Sequence, residues 1–269
     1  MIGVHALDAD SSAAVAALPE SAFSTDVLRG SVVVIDGRQA WTARVLDAVA
    51  AGAVGIVVAD PAVAHADELA HVQRALRGIP VVLDRPLLRA DSAVEAADRA
   101  AGLAAVSLIT ASCASPAAQF DRTVCDTAGW LRVLAGAPVH PSVLRGRGGG
   151  VLLAADAGPA EGGAGPLALT ARILSESVAA PRLRVTAIGV VRTEVSVTAG
   201  RPAVVRQDDE RGTSFAATRF EDRRRLALRR AIAAVAGRGD HEASHALRDL
   251  ADFAADSAIA LAVRDALAP

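Results

Sequence analysis

The 269-residue chain contains no lysine and no tyrosine, and its 28 basic residues are all arginine. The first absence excludes every mechanism built on a lysine amine: Schiff-base formation, proton donation by an ammonium, or a lysine clamp on phosphate. Arginine does not substitute in proton transfer, because its guanidinium does not give up its proton near neutral pH. Aromatics are scarce, at 3%. The net charge of -2 gives no general basic surface for nucleic acid. The two cysteines, Cys113 and Cys125, form no disulfide framework, and they read as reduced, buried small side chains. Long apolar runs are missing too. In the opening segment the longest uncharged stretch lies between Asp47 and Asp60, short of the roughly 20 residues that cross a bilayer. The N-terminus has no basic n-region and reaches Asp8 and Asp10 early, so it does not read as a signal peptide. These features lead us to expect a cytoplasmic protein that binds neither nucleic acid nor membrane.

What is present is alternation. "SVVVID" (31–36), "VGIVVA" and "IPVVLD" (79–84) are β-branched runs of the kind buried on both faces of a sheet. Between them lie helical patterns, "QAWTARVLDAVAAG" closed by Gly52 and "HADELAHVQRALRG" closed by Gly78. A short strand, "IGVHALDAD" (2–10), and a short helix with Ser11 or Asp10 as N-cap come first. Strands and helices alternating through short loops imply a parallel α/β sheet. After about Arg85 the pattern changes. A helix, "SAVEAADRAAG", a strand (103–112) and an amphipathic helix (117–136) precede a strand-rich stretch that suggests antiparallel hairpins, and two helices close the chain. The expected organisation is a truncated Rossmann-like domain, 1–84, followed by an α+β domain with an open, largely antiparallel sheet, 85–269.

This layout resembles the glucose-fructose oxidoreductase / inositol dehydrogenase / MocA family. The stretch "VVVIDGRQAWTARVLDAVAAG" is similar to that family's strand, turn and helix, and "VGIVVADP" to the strand that ends in Glu-Lys-Pro. "CDTAGWLRVLAGAPV" is similar to the helix carrying His-x-x-Asp, and "RLRVTAIGVVRTEVSV" to its hairpin. The resemblance implies a Rossmann domain, an open-sheet domain that mediates oligomerisation, and hydride transfer between NAD(P) and a sugar or cyclitol. The departures fall on the chemistry. Asp60 stands where the family has its catalytic lysine, Asp126 where it has its catalytic histidine, Gly129 where it has the following Asp, and Trp41 where it has the turn histidine. The Gly-x-Gly-x-x-Gly turn is also absent, and the chain reads as opening on the second strand, leaving Asp8 or Asp10 as a ribose-contacting acid without a phosphate site.

The expected function is that of a structural, regulatory or small-ligand-binding subunit that has lost dinucleotide binding and catalysis. It would have no cofactor and would form a homo-oligomer, a dimer, through the open sheet. Its crevice would offer a small polar ligand the carboxylates of Asp36 and Asp60, with Trp41 filling the space of a nicotinamide. Two alternatives remain. One is an active NAD(P)-dependent sugar or cyclitol oxidoreductase. The other is a zinc hydrolase built on "HEASH", in which His241 and His245 hold the metal one turn apart, Asp249 lies on the same helix face, and Glu242 polarises water.

Overall fold

The structure is a computed structural model of the whole chain, and it describes all residues except 7, 102–105, 141, 146–150, 158–166, 176–177, 238–248 and 268–269. The chain divides into two compact units. Met1–Arg85 with Glu221–Ala254 form the first, and Pro86–Phe220 with Ala255–Pro269 form the second. The chain therefore crosses between units three times, where the sequence suggested a single boundary at 84/85.

The first unit is built on a five-stranded parallel sheet of β1 (Ile2–His5), β2 (Ala22–Ser24), β3 (Val32–Asp36), β4 (Gly55–Ala59) and β5 (Val81–Asp84). Their order is β2-β1-β3-β4-β5. The order reverses beside β1, the switch point of a doubly wound sheet, and the same order results when the chain opens on that sheet's second strand. The central strands are buried on both faces: β3 is Val-Val-Val-Ile-Asp and β4 is Gly-Ile-Val-Val-Ala, with every residue but Asp36 buried. Helices α2 (Trp41–Ala50) and α3 (Ala66–Leu76) pack on each other, and α2 packs on β3 and β4. Helix α1 (Ala9–Ala16) packs on α6 (Arg223–Val235), which lies against β4 and β5. Val15, Leu228, Ala231 and Ile232 of these two helices close one core with Val4, Val32, Val57 and Val82 of four strands. The return of α6 to this sheet, from far along the chain, is what brings arginines to the strand ends.

Close approach fixes the loops at the carboxyl ends of β3 and β4. The Gly37 N–H donates to the Ala59 carbonyl at 2.6 Å, and the Ala62 N–H donates to the Gly37 carbonyl at 2.8 Å. A Cβ on Gly37 would lie 2.6 Å from Pro61 Cα and 2.7 Å from the Ala59 oxygen, both backbone atoms that cannot rotate away. Gly37→Ala is therefore expected to lower stability by about 1–3 kcal/mol, the usual scale of overpacking. A denaturant midpoint equal to that of wild type would refute the tight loop pairing.

The second unit carries an eight-stranded mixed sheet in the order β13-β12-β11-β10-β6-β9-β8-β7. All neighbouring pairs are antiparallel except β6 (Leu108–Ser115) with β9 (Leu167–Ser175), which is parallel. The remaining strands are β7 (Ser142–Arg145), β8 (Val151–Ala157), β10 (Arg182–Ile188), β11 (Arg192–Thr198), β12 (Val204–Asp209) and β13 (Gly212–Phe215). Period-2 alternation sets their faces. Leu183, Val185 and Ala187 of β10, and Thr193, Val195 and Val197 of β11, are buried. Helices α4 (Ala90–Ala101) and α5 (Phe120–Ala135) cover part of this sheet, α5 lying on β6, β9 and β10 and α4 on β11 and β12. Helix α7 (Asp249–Leu267) closes the described chain.

Candidate functional site

In open α/β sheets ligands bind outside the carboxyl ends of the strands. Here four of the five strands run into an aspartate at that edge: Asp8 follows β1, Asp36 ends β3, Asp60 follows β4 and Asp84 ends β5. Each one has a partner from the same unit.

Asp60 and Asp84 share two arginines from the first turn of α6. Arg224 reaches Asp84 at 2.6 Å and Asp60 at 2.8 Å, and Arg223 reaches Asp60 at 2.8 Å and Asp84 at 3.2 Å. The Arg223 Nη1 contact with Asp84 is one of proximity only, because that buried nitrogen makes no hydrogen bond. Asp222 caps α6, accepting from the backbone N–H groups of Arg224 and Arg225, and so sets the turn from which both arginines project. The Asp84 side chain is only 4% exposed. Burial pushes its carboxyl above the ordinary value, against the opposing pull of Arg223 and Arg224. For Arg223, burial works against the charge, but Asp84 and Asp60 outweigh it and raise the guanidinium above its ordinary value. Asp60 itself has a left-handed backbone, φ 53°, immediately before Pro61. That conformation is disfavoured for a residue preceding proline. The Asp60 N–H bond to the Asp84 carbonyl, at 3.0 Å, and the two arginines hold it there.

Asp8 closes the other end of the crevice. It is the N-cap of α1, where the sequence suggested Ser11 or Asp10, and its carboxylate accepts from the Ser11 N–H at 2.8 Å. Asp10 lies exposed in the first helical turn. Burial pushes the Asp8 carboxyl up, but the bonds from Ser11 outweigh it and hold the group below its ordinary value. Such a group stabilises the fold above its unfolded value and ceases to do so as the pH falls through the lowered folded value. Asp8→Ala is therefore expected to cost about 1 kcal/mol near neutral pH, with the deficit shrinking in acid below the ordinary aspartate range. Urea unfolding of both proteins across that range checks this, and a deficit independent of pH would contradict it.

Asp36 turns to its own loop rather than to Asp60: the Arg38 Nε–H is shared between its two carboxylate oxygens at 2.9 and 3.1 Å, and it also accepts from the Arg38 backbone N–H. The Arg38 bond lowers its carboxyl. Trp41 is 2% exposed, donates Nε1–H to the Ala62 carbonyl at 2.9 Å and meets Phe253 edge-on at 6.0 Å. It is a core side chain of the first unit, not a plug whose removal leaves the fold intact.

The remaining family-matched positions belong to the second unit. Asp126 is buried on α5 and accepts from the Leu87 N–H at 2.9 Å. Trp130, one turn later, donates to the Leu87 carbonyl at 2.7 Å. Together they brace both sides of one residue's backbone, and Gly129 lies buried between them in the helix. Asp249, read from sequence as a metal ligand, is committed elsewhere. One carboxylate oxygen accepts from Arg230 at 2.9 Å, and the other from Arg230 at 3.2 Å and from the Leu83 N–H at 3.0 Å. Burial pushes the Asp249 carboxyl up, with Arg230 opposing. His241 and His245 lie outside the described residues, and among the described residues no three potential ligands gather as a metal site.

The sequence does not single out Asp84, and its arginine run at 219–230 reads as a solvated helix face rather than as the partner of strand-end carboxylates. One signal was available: three strands ending in Asp leave buried-edge carboxylates that need countercharge, and the arginine run after Asp222 supplies it.

No family model and no curated protein matches the chain. Solved structures do. A 3-ketoreductase from Actinomadura kijaniata, in complex with NADP, superposes with a TM-score of 0.66 at 12% identity, covering 98% of this chain and 96% of that one. The UDP-N-acetylglucosamine 3-dehydrogenase of Acidithiobacillus ferrooxidans gives 0.64 at 14% identity, covering 98% and 96%. A dehydrogenase from Clostridium difficile gives 0.64 at 7% identity, covering 98% of both chains. At these identities the likeness establishes the fold: this chain has the architecture of the Gfo/Idh/MocA-type oxidoreductases, over nearly its whole length.

Proposed function

We propose that the chain retains the architecture of an NAD(P)-dependent oxidoreductase without the capacity to bind the dinucleotide or transfer hydride, and that it serves as a structural or regulatory subunit. The observation that carries this reading is the closed ion cluster at the strand ends. In this fold a pyrophosphate is expected against a helix N-terminus approached by glycine backbone. The first helix here, α1, has no such glycine turn before it, and its N-terminus already carries the Asp8 carboxylate. The arginines nearest the crevice, Arg223 and Arg224, are bound to Asp60 and Asp84. These residues do not fit a dinucleotide.

The proton chemistry is similarly closed. Asp126 holds the Leu87 backbone, Asp60 is held by two arginines, and the chain has no lysine. A general acid or base needs a proton it can exchange with substrate, and each of these carboxylates is bound to the protein itself. No helix among the described residues is long and apolar enough to cross a membrane. The open face of the eight-stranded sheet is then the surface through which such a subunit works.

The reading is tested by incubating the purified chain with NADPH or NADH and a panel of keto-sugars, following loss of the reduced nicotinamide. No oxidation above the protein-free rate is expected. Turnover that an Asp60→Ala or Asp126→Ala variant lacks would overturn the proposal.

A further inference from the structure

Strand β13 and the chain after it stand apart from the rest of the second unit by their exposure. Ten consecutive residues, 211–220, lie in water except for half-buried Ala216. The stretch forms the sheet-edge strand Gly212–Phe215 and then continues without regular structure. It also exposes an aromatic side chain in a protein with only five Phe, two Trp and no Tyr. Trp41, Trp130, Phe120 and Phe253 are buried, whereas Phe215 is 62% exposed. Its ring therefore adds little to the core.

Two adjacent hydroxyls in this stretch meet opposite charges. Side chains alternate between the faces of a strand, and in register Thr213 stands beside Asp208 and Ser214 beside Gln207. The Thr213 hydroxyl donates to Asp208 at 2.7 Å, and Asp208 also binds Arg206 at 2.9 Å. Ser214 Oγ instead accepts from Arg99 Nη1 at 3.4 Å. Arg99 lies in the last turn of α4, and its carbonyl accepts from Gln207 Nε2 at 3.2 Å, which holds that helix end beside β12. Glu95 binds Arg99 at 2.7 Å and Arg219 at 3.5 Å. One carboxylate is thus shared by two guanidiniums, and one of these touches Ser214. A negative group added at Thr213 would face a carboxylate; the same group added at Ser214 would face arginine.

We propose that Ser214 is a phosphorylation site for a protein serine kinase, and that Arg99 and Arg219 bind the phosphate in place of Glu95. The proposal goes beyond the subunit reading and does not depend on it. Kinases select substrates by the pattern of charge and apolar side chains around the acceptor. Here Arg211 supplies a cation three residues before Ser214, and Phe215 supplies an apolar side chain directly after it, both exposed. In the transfer, Ser214 Oγ forms a new bond to the γ-phosphorus of a nucleoside triphosphate. The bond from that phosphorus to the β–γ bridging oxygen breaks, and the nucleoside diphosphate leaves with the electron pair. The hydroxyl proton passes to a carboxylate of the kinase. The product carries about -1.5 to -2 charge near neutral pH, against -1 for a carboxylate, and three acceptor oxygens that suit guanidinium forks. It outcompetes Glu95 for both arginines and so ties edge strand β13 to α4 and to Arg219 of the following segment.

Trypsin cuts after Arg211 and Arg219, releasing Gly212–Arg219 with Thr213, Ser214 and Thr218 as its hydroxyls. The protein is isolated from the cells that make it, from growth into stationary phase, and this peptide is sequenced by mass spectrometry. A phosphoryl group on Ser214 is expected. A peptide never phosphorylated, or phosphorylated on Thr213 or Thr218 alone, would overturn the proposal. The two arginines are tested on full-length protein made with phosphoserine at position 214. Phosphorus NMR follows its second ionisation, which lies at about 6 for the free group. Guanidiniums favour the dianion, so the midpoint is expected lower by about 0.5 or more. R99Q/R219Q should return it to the free value, and E95Q should lower it further. A midpoint that R99Q/R219Q leaves unmoved would equally overturn the proposal. Neither measurement involves a dinucleotide, so failure here leaves the reading of the crevice intact.

Discussion

Arg224→Ala is expected to destabilise the protein by about 3–5 kcal/mol, the scale for removing one member of a buried ion pair and leaving the other without compensation. The group left behind is Asp84, whose side chain is 4% exposed and whose shortest bond, 2.6 Å, is to Arg224. Arg223 remains nearby but makes no hydrogen bond through the nitrogen that faces Asp84. The loss should depend on pH in a definite direction. Burial already pushes the Asp84 carboxyl above its ordinary value, and Arg224 is one of the groups that oppose this. Without Arg224 the folded value rises further above the unfolded one. The folded state then binds more protons than the unfolded state in the window between the two, so stability falls as pH rises through that window and is regained as pH falls. The deficit of Arg224→Ala relative to wild type should therefore be larger near pH 7 than near pH 4, where the unfolded aspartate is itself about half protonated. Guanidinium denaturation of both proteins at both pH values checks the sign. An equal deficit at the two would mean that Asp84 is not the group stranded.

Trp41→Ala is expected to cost a similar amount, about 3–5 kcal/mol, as for other large-to-small changes in a packed core. Three observations set that scale. The side chain is 2% exposed, its indole N–H is bonded to the Ala62 carbonyl at 2.9 Å, and its ring packs edge-on against Phe253. The residue thus ties the α2 start to the loop after Asp60 and Pro61. Considered from sequence alone, as a tryptophan in a vacated nicotinamide space, its removal would be nearly free. The structure reverses that expectation. Trp41→Phe should recover most of the loss, because it keeps the burial and gives up the one hydrogen bond, worth about 1 kcal/mol. Thermal melts of the three proteins distinguish the cases, and a Trp41→Ala melting point within a degree or two of wild type would refute the core assignment.

The parts of the fold legible in sequence are those specified locally. β3, β4 and β5 announce themselves as β-branched runs, and glycines with positive φ close the helices near Gly52, Gly78 and Gly136. The alternation in β10 and β11 gives the hairpin and its buried face. Strand β2 left no such trace, because Ala22–Ser24 is too short to show a period. The N-cap of α1 reads from sequence as Ser11 or Asp10, residue types that suit a cap; the backbone dihedrals place the cap earlier, at Asp8. The site depended on distance in a different sense. Asp84 and Arg224 are 140 residues apart, and only the return of α6 to the first sheet joins them. A charge run such as Arg223–Arg225 reads locally as a solvated face, and Arg225 does pair with Glu221 in that way, at 3.6 Å. Its two predecessors turn inward because Asp222 fixes the first turn of the helix over the strand ends.

The claim that organises this account is that the fold's dinucleotide crevice is occupied by the chain's own charges. Calorimetric titration of the purified protein with NADPH and with NADH tests it most directly. The account predicts no heat of binding at millimolar dinucleotide for either cofactor. Saturable binding in the micromolar range would contradict it, for the Asp8 cap and the Arg223–Arg224 cluster would then have to yield to a pyrophosphate.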